Sequence, residues 1–329
     1  MTQTILDVRD LSIKIGKNLE VVKGLSFSVR KGETVCLVGE SGCGKSISAL
    51  SILRLLPSVA SVSGGTIQFD GRDVLALSDA ELRKIRGNDI TMIFQEPMSS
   101  LNPLRTIGFQ VAEVLMVHRG LSQSAALEHA ERLLETVRIS EPRRRLTEYP
   151  HQLSGGMRQR VMIAMALACE PRIILADEPT TALDVTIQAQ ITELMKELQQ
   201  KFGTAIVLIT HDMGLVAENA DRVVVMYAGQ KVEDAPVVEF FENATHPYSL
   251  GLLGSLPQFG TDYSTATKRL KEIPGSVPAL NALPAGCPFA TRCAHANETC
   301  HSTPAPMHQI GDEHSVACWF PHKPEGGVR

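Results

Sequence analysis

Between an apolar run and a predicted helix, the chain reads Gly39-Glu40-Ser41-Gly42-Cys43-Gly44-Lys45-Ser46. The apolar run, Thr34 to Val38, has the length of a short buried strand, and the helical stretch, Lys45 to Leu56, is stopped by Pro57. A strand, a glycine-rich turn and a helix in this order form the context in which such a motif binds phosphate. The alternative, a glycine turn without function, fits this context poorly.

The residue types in this loop suit a nucleoside triphosphate. Glycines let backbone N–H groups close around the β- and γ-phosphates, and the helix N-terminus adds a favourable dipole. Lys45 then places a positive charge on the transferred phosphate, and Ser46 offers a hydroxyl ligand for magnesium. The remaining candidate phosphate contacts are Gly39, Ser41, Gly42, Cys43 and Gly44.

A second motif, Ile173-Ile174-Leu175-Ala176-Asp177-Glu178, ends a predicted apolar strand with two carboxylates. Asp177 is expected to hold magnesium through water, as the acidic residue at such a strand end does in nucleotide-hydrolysing enzymes. Glu178 is then the candidate general base that polarises the attacking water. An acidic pair that simply ends a strand is the alternative, and the upstream lysine loop makes it the weaker one.

A third motif, Leu153-Ser154-Gly155-Gly156-Met157-Arg158-Gln159, lies between the other two. Ser154 suits the N-cap of a helix, and the glycines let the backbone approach an anion, although Ser-Gly-Gly alone is more often a flexible turn. With all three motifs, residues 5 to 255 resemble the ATP-binding subunits of ABC transporters. The resemblance implies that Ser154, Gly155 and Gly156 meet the γ-phosphate of ATP held by a second subunit, so that each active site is split between two chains.

The resemblance also implies roles for three single residues. Gln95 matches the glutamine that contacts magnesium and senses the membrane partner. Asp184, in Ala182-Leu183-Asp184, matches the loop that crosses the dimer interface. His211 directly follows an apolar strand and matches the histidine that contacts the γ-phosphate.

One position departs from the family pattern. The family usually stacks adenine on an aromatic residue in the first strands, yet this chain has no aromatic residue before Phe27. Ile15, or alternatively Ile13, takes that place. Apolar contact can still hold the base, but stacking would be lost, which affects nucleotide affinity and selectivity rather than the phosphate chemistry.

Composition excludes some classes of protein. The chain has 329 residues and a formal net charge of −4, with a pI near 6.2, so no nucleic-acid partner is expected. The longest apolar run, Val161 to Cys169, is well short of the roughly 20 residues that span a bilayer. The first residues lack the basic and apolar regions of a signal peptide. We therefore expect a cytosolic chain that reaches a membrane only through a partner.

Hydrophobic periodicity predicts an α/β fold. Alternation over the first 30 residues indicates an N-terminal antiparallel β-subdomain, and a crossover helix, Gln188 to Lys201, between buried strands implies a parallel core sheet. Residues from about 97 to 155 have helical spacing and form a predicted helical insertion. The strands are predicted at Arg172 to Ala176, Ala205 to Thr210 and Val223 to Tyr227, and the insertion helices at Val111 to Val117 and Ala125 to Val137.

These patterns divide the chain into two parts. Residues 1–257 form a predicted ABC-type nucleotide-binding domain with the P-loop ATPase fold. Residues 258–329 form a predicted linker and a small cysteine-rich module, because prolines there break every long element.

Four cysteines, Cys287, Cys293, Cys300 and Cys318, crowd the C-terminal module. In a reducing compartment such a cluster indicates metal ligation rather than disulfides. Zinc sites usually contain tighter cysteine pairs, so thiolates from separate loops suit an iron–sulfur cubane better. Zinc is the alternative, and unligated thiols are a third.

Two further segments narrow the resemblance to peptide and nickel importers, and most closely to the D-type ATP-binding subunits of dipeptide and oligopeptide permeases. They are Phe94 to Pro103 and Thr245-His246-Pro247-Tyr248-Ser249. The cysteine-rich module fits the same group, in which members carry a [4Fe–4S] cluster there. Resemblance therefore favours the cluster over zinc.

The resemblance implies an ATPase subunit, using ATP and Mg²⁺, that powers uptake of peptides or peptide-like solutes. Its implied partners are a second, related ATP-binding subunit, two integral membrane permease subunits and an extracytoplasmic solute-binding protein. Its implied location is peripheral, on the cytoplasmic face of the inner membrane. A non-transport ABC ATPase, a chiefly regulatory subunit, and an importer of nickel, opine or glutathione-type solutes stay open as alternatives.

Overall fold

The computed structural model of the chain describes residues 3–96, 100–180, 184–256 and 273–322. Two β-sheets organise these residues, and helices cover the second of them. The first sheet is antiparallel, in the order β2-β1-β4-β5. Its strands are β1 (Thr4–Ile15), β2 (Leu19–Arg30), β4 (Ala60–Phe69) and β5 (Arg72–Asp73).

The first sheet confirms the alternation at the start of the chain. Leu6, Val8, Leu11 and Ile13 are all buried, although the step from Val8 to Leu11 breaks the period of two. The register of β1 against β2 shifts at this step, and Asp10 there has a φ of 49°. Such a β-bulge returns the following apolar residues to the buried face.

The second sheet is parallel at its centre, as predicted. Its order is β11-β12-β10-β9-β3-β8-β7-β6, and the pairs from β9 to β6 are parallel. Every residue of β3, β7 and β8 is buried, as expected of a sheet covered on both faces. The strands are β3 (Thr34–Val38), β6 (Ile90–Ile93), β7 (Ile173–Asp177), β8 (Ala205–Thr210), β9 (Arg222–Tyr227), β10 (Gln230–Pro236), β11 (His308–Gly311) and β12 (His314–Val316).

The helices fall between and after these strands. The described residues also form two short 3₁₀ helices, Pro150–Gln152 and Leu280–Ala282. No described helix is both long enough and apolar enough to cross a membrane. The α-helices are α1 (Lys45–Ile52), α2 (Asp79–Ile85), α3 (Ile107–Arg119), α4 (Gln123–Thr136), α5 (Pro142–Arg145), α6 (Gly155–Leu167), α7 (Val185–Phe202), α8 (Met213–Asn219), α9 (Val237–Asn243), α10 (Pro247–Gly254) and α11 (Glu298–Ser302).

The helical insertion is confirmed within its described part, residues 100 to 155. Helices α3 and α4 pack on each other and on α6. Helix α3 begins before the predicted Val111 because the Thr106 hydroxyl accepts a hydrogen bond from the N–H of Phe109 and caps the helix. The predicted limits of the insertion at residue 97 and of the first domain at residue 257 lie outside the described residues.

The prediction that Pro57 ends the first helix was wrong. Helix α1 ends at Ile52, and Arg54 takes a left-handed conformation with a φ of 51°. The N–H groups of Arg54 and Leu55 donate to the carbonyls of Ser51 and Leu50. This double hydrogen bond is a Schellman motif, and it stops the helix before the proline is reached.

The cysteine-rich segment packs against the core sheet. Strand β12 pairs with β10, with Val316 opposite Glu233 and Ser315 opposite Asp234. Phe289, from the same segment, is buried in the hydrophobic core between the central sheet and the helices. The division into two domains stays a prediction, but residues 273–322 share a core with the rest of the chain.

Candidate functional site

The glycine-rich loop connects β3 to α1, and its backbone requires glycine at two points. Gly39 has a φ of 149°, and a Cβ atom there would lie 2.1 Å from the carbonyl oxygen of Met226 in the neighbouring strand β9. Gly44 has a φ of 100° and would meet the carbonyl oxygen of Val21 at 3.0 Å. Both contacts are with backbone oxygens, so the loop passes closely between β2 and β9.

Lys45 lies inside this loop. Its side chain is buried, and Nζ donates to the carbonyl oxygens of Gly39 at 2.7 Å and Glu40 at 3.1 Å. The sulfur of Cys43 is 3.6 Å from the same nitrogen. The ammonium group is therefore held at the centre of a ring of loop atoms.

Ser46 and Asp177 are brought together, as the sequence predicted. Ser46 Oγ donates to Asp177 Oδ1 at 2.9 Å. Burial raises the pKa of Asp177, and the hydrogen bond from Ser46 opposes that effect. A hydroxyl and a buried carboxylate side by side are oxygen ligands of the kind that Mg²⁺ prefers, and a cation would offset the burial of the carboxylate charge.

Gln95, Glu178 and His211 form a second group. They follow β6, β7 and β8, which are neighbours in the parallel sheet, so the carboxyl ends of three strands meet. Gln95 Nε2 donates to Glu178 Oε2 at 2.9 Å, and His211 Nδ1 lies at hydrogen-bond distance, 3.1 Å, from Glu178 Oε1. The carboxylate of Glu178 is thus contacted on both oxygens.

Ser154, Gly155 and Gly156 lie at the N-terminus of α6. Ser154 caps the helix by accepting a hydrogen bond from the N–H of Met157 at 3.4 Å. Ser154 and Gly155 are exposed, and a Cβ atom on Gly156 would lie 2.8 Å from Cγ2 of Ile187 in α7. Within the described ranges of this one chain, Ser154 makes no hydrogen bond to the glycine-rich loop.

Asp184 lies at the start of α7, and Ile15 is the last residue of β1. Asp184 is exposed and caps α7, accepting from the N–H of Ile187 at 2.9 Å. Ala182 and Leu183, from the same predicted motif, lie outside the described residues. Ile15 is half-buried at the end of β1, where it pairs with Leu19 and Ala60. The sheet edge therefore offers an aliphatic side chain rather than an aromatic ring.

The four C-terminal cysteines line one small cavity of about 20 Å³, together with His246 and His322. Among the described residues, no three His, Cys, Asp or Glu side chains are grouped so as to hold a single metal ion. Burial raises the pKa of Cys318 to about 11, so this thiol is neutral unless a cation stabilises its thiolate. The cysteines share a cavity, and their joint ligation of a metal stays a prediction.

Sequence reasoning missed two residues that contact the glycine-rich loop. The hydroxyl of Tyr248, in α10, accepts a hydrogen bond from the N–H of Glu40 at 2.8 Å. Arg292, in the cysteine-rich segment, forms an ion pair with the carboxylate of Glu40. The sequence offered two partial signals: Glu40 is an acidic residue in a loop that is expected to bind an anion, and Tyr248 lies in a segment that resembles the peptide and nickel importers.

Sequence relatives cover nearly the whole chain. The ABC transporter family model matches residues 22–181, and the model of the oligopeptide/dipeptide transporter C-terminal region matches residues 232–300. A probable peptide ABC transporter ATP-binding protein of Sinorhizobium fredii is 50% identical over 96% of this chain and 94% of its own length. The dipeptide transport ATP-binding protein of Bacillus subtilis is 48% identical over 97% of this chain and 95% of its own length.

A solved structure agrees with the sequence relatives. A dimeric ATP-binding cassette in a post-hydrolysis state, bound to ADP and phosphate, matches with a TM-score of 0.64 and 32% identity. The match covers 71% of this chain and 99% of the cassette. With the sequence relatives matched over nearly their full length, the chain belongs to the ATP-binding proteins of ABC transporters, in the group that has the oligopeptide/dipeptide transporter C-terminal region.

Proposed function

We propose that this ABC ATPase powers the import of peptides or peptide-like solutes across the cytoplasmic membrane. The observation that carries the proposal is the extent of the match. Relatives named as peptide ABC transporter, peptide import and dipeptide transport ATP-binding proteins align with 96–97% of the chain, including the C-terminal region. Matches limited to the ATP-binding cassette would support ATP hydrolysis but would not indicate the class of solute.

ATP binds at the glycine-rich loop. The N–H groups of the loop and of the first turn of α1 surround the β- and γ-phosphates, and Lys45 moves from the carbonyls of Gly39 and Glu40 to a phosphate oxygen. Ser46 and Asp177 would hold Mg²⁺, directly and through water, and the ion would neutralise charge that develops on the phosphates. Ile15 supports the adenine by apolar contact.

Glu178 is the proposed general base. It orients and polarises the water that attacks the γ-phosphate, and the proton passes to its carboxylate. Gln95 and His211 lie on its two oxygens and hold its orientation in the present arrangement. On ATP binding we expect Gln95 to turn to the magnesium ion and His211 to the γ-phosphate.

The complete site needs a second ATP-binding subunit. Ser154, Gly155 and Gly156 form an exposed helix N-terminus, whose free N–H groups suit an anion. A related subunit would place the γ-phosphate of its bound ATP at this helix N-terminus. Asp184 would lie near the interface between the two subunits. The matched dimeric cassette, which holds ADP and phosphate, supports this arrangement. Binding of ATP then closes the dimer, and hydrolysis reopens it.

The remaining partners follow from the transport role. Two integral membrane permease subunits form the pathway for the solute. This ATPase lies peripherally beneath them, on the cytoplasmic face of the inner membrane. An extracytoplasmic binding protein delivers the solute to the permease. Gln95 and the helical insertion transmit closure to the permease.

Co-purification tests this assembly. Gentle detergent extraction should recover the chain with two polytopic membrane proteins and a second, related ATPase. Recovery without membrane proteins and with bound nucleic acid would instead support a non-transport ABC ATPase. The ligand of the co-expressed binding protein then separates peptides from nickel, opine or glutathione-type solutes.

We also propose that Cys287, Cys293, Cys300 and Cys318 hold a [4Fe–4S] cluster. Thiolates on one zinc ion lie within about 4 Å of each other, because Zn–S bonds are about 2.3 Å in a tetrahedron. In a cubane each thiolate binds a different iron, so the sulfurs are further apart. The four thiols line one cavity, which suits joint ligation, and the resemblance to peptide permease subunits favours the cubane over zinc.

A buried histidine beside the cavity supports the same assignment. His246 Nδ1 accepts a hydrogen bond from the N–H of Tyr248 at 3.1 Å, so a neutral ring carries its proton on Nε2. Burial lowers the pKa of His246 to about 4, which keeps the ring neutral. Within the described residues its buried Nε2 has no hydrogen-bond partner. An N–H donor suits the sulfur atoms of a cluster, which accept hydrogen bonds.

Metal analysis of anaerobically purified protein tests the cluster. We expect about four iron and four sulfide per chain, with loss of both in a variant that has serine at all four positions. Stoichiometric zinc without iron would contradict the proposal and favour the zinc alternative.

A further inference from the structure

Glu40 places a negative charge inside the loop that is proposed to bind a triphosphate. Three groups hold this residue. Its N–H donates to Tyr248, its carbonyl accepts from Lys45, and its carboxylate accepts from Arg292. Its side chain is 30% exposed, so solvent would screen its charge only in part. Without a compensating cation, the carboxylate would therefore repel a bound polyanion.

Arg292 comes from the cysteine-rich segment, far along the chain from Glu40. Its side chain is only 4% exposed. Two nitrogens of the guanidinium contact the two carboxylate oxygens of Glu40, at 2.6 and 3.0 Å. This bidentate geometry is the strongest and most directional form of an Arg–carboxylate pair.

The remaining donors of Arg292 fix the guanidinium itself. Nε donates to the carbonyl oxygen of Pro274 at 2.9 Å, and one terminal nitrogen donates to that of Gly275 at 3.2 Å. The guanidinium also lies beside the rings of Tyr227 and Phe289, with its central carbon 5.8 and 5.9 Å from the ring centroids. Because these contacts fix the Arg292 guanidinium, the guanidinium can in turn fix the position of the glycine-rich loop.

We propose that Arg292 is a positioning residue for ATP binding. It fixes the glycine-rich loop through Glu40 and neutralises the carboxylate, so that the loop is ordered and receptive before the nucleotide arrives. The inference rests on the proposed function, because it requires this loop to bind ATP. It makes the cysteine-rich module a structural part of the ATP site as well as a candidate cluster site.

The test is ATP affinity, measured with the full-length chain carrying Glu178→Gln so that nucleotide is not consumed. Arg292→Gln should raise the Kd for ATP about tenfold, because it leaves Glu40 charged and the loop unfixed. In a chain that also carries Glu40→Gln, Arg292→Gln should raise the Kd for ATP less than about threefold. The reason is that this chain has no carboxylate at position 40 for Arg292 to neutralise. If Arg292→Gln fails to fold, Arg292→Lys, which keeps the charge but loses the bidentate contact, replaces it in both backgrounds with smaller expected changes.

Arg222→Gln is the matched control. Arg222 also forms a bidentate pair, with the carboxylate of Asp234 at 2.7 and 2.8 Å. Arg222 lies at the start of β9, at the end of the sheet opposite to the glycine-rich loop. It should lower thermal stability and leave the Kd for ATP unchanged. An equal rise in Kd from Arg292→Gln in both backgrounds, or no rise in either, would overturn the inference.

Lys45→Ala separates this inference from the proposed function. ATP binding should be lost in that variant. Retained binding would refute the loop as the ATP site. Lost binding in Lys45→Ala with unaltered affinity in the Arg292 variants would refute only the role of Arg292.

Discussion

The backbone and the carboxylate of Glu178 both bear on its proposed role. Its backbone is left-handed, with a φ of 45°, and its N–H donates to the carbonyl of Ile209 in β8. Its carboxylate is contacted by Gln95 and His211. Left-handed backbone is unfavourable for a residue with a side chain, and such strain clusters at functional sites. The geometry therefore agrees with the role proposed for Glu178.

Glu178→Gln should abolish turnover and leave ATP binding intact. The amide keeps the size and hydrogen-bonding ability of the side chain but cannot accept a proton, so phosphate release should fall by about 10²- to 10⁴-fold. ATP binding and phosphate release, measured on the same preparation, check this. Glu242→Gln, an exposed residue of α9, is the control and should keep full turnover. Retained turnover in Glu178→Gln would refute the assigned base.

Sequence alone predicted most of the residues in this site but not all of their contacts. Ser46 and Asp177 were expected together because both motifs bind one magnesium ion, and they are in contact. Gln95 was expected at magnesium and His211 at the γ-phosphate, yet their hydrogen bonds to Glu178 depend on the strand order. The pairing of Glu40 with Arg292 had no local signal, because 252 positions separate the two residues.

Among the elements, α6 and α7 approach each other closely at Gly156. A methyl group there would lie 2.8 Å from Cγ2 of Ile187, nearer than van der Waals contact allows. Gly156→Ala should therefore destabilise the chain by about 1–3 kcal/mol, and Ile187→Ala in the same chain should restore most of that loss. Denaturant unfolding of the two single variants and the double variant checks this. Additive losses would show that the two side chains do not compete for this space.

Strand β12 is attached to β10 by a buried ion pair. His314 Nε2 lies 2.9 Å from Glu233 Oε1, and both side chains are almost fully buried. Burial lowers the pKa of His314, but its contacts with Glu233 and Glu239 outweigh burial and raise that pKa above 6.5. Burial raises the pKa of Glu233, but hydrogen bonds from His314 and the N–H of Thr245 outweigh it and lower that pKa below 4.5.

The pair predicts a pH-dependent attachment of the module. The stabilisation by His314 is fully present below the pKa that this histidine has in the unfolded chain. It is lost as the pH rises through the higher pKa that His314 has in the folded chain. Stability from Glu233 is present above its unfolded pKa and is lost as pH falls through its folded value. His314→Gln should lower the free energy of unfolding by about 3 kcal/mol near pH 6 and by less near pH 9, as followed by guanidinium unfolding. An equal loss at both pH values would contradict the ion pair.

Element prediction from the sequence succeeded where apolar patterns were long. The antiparallel strands β1 and β2 and the crossover helix α7 were all expected from periodicity. Strand β6 was missed because four residues show too little pattern. Strand β12 was missed because its three residues are recognisable only through their pairing with β10.

At the scale of the whole molecule, strand pairing, ion pairing and apolar packing hold the C-terminal segment against the cassette. Strand β12 extends the central sheet, and Arg292 reaches the glycine-rich loop. These contacts connect the candidate cluster site to the candidate ATP site. We therefore expect the module to support nucleotide binding.

Truncation tests this expectation at the same scale. A chain that ends after α10 loses these contacts and exposes the edge of β10 and the apolar surface around Tyr227. It should have a lower thermal midpoint and weaker ATP affinity than the full chain. The full chain with Arg222→Gln is the control, because it is destabilised without losing the contact to Glu40. Unchanged ATP affinity in a folded truncated chain would contradict the coupling.

The central claim is that ATP hydrolysis by this subunit drives peptide uptake. The most direct measurement is accumulation of a labelled peptide in proteoliposomes that hold the complete importer, with binding protein outside and ATP at the cassette side. We predict ATP-dependent accumulation with the parent chain, and its loss with Glu178→Gln although ATP still binds. Undiminished accumulation with Glu178→Gln would contradict the account.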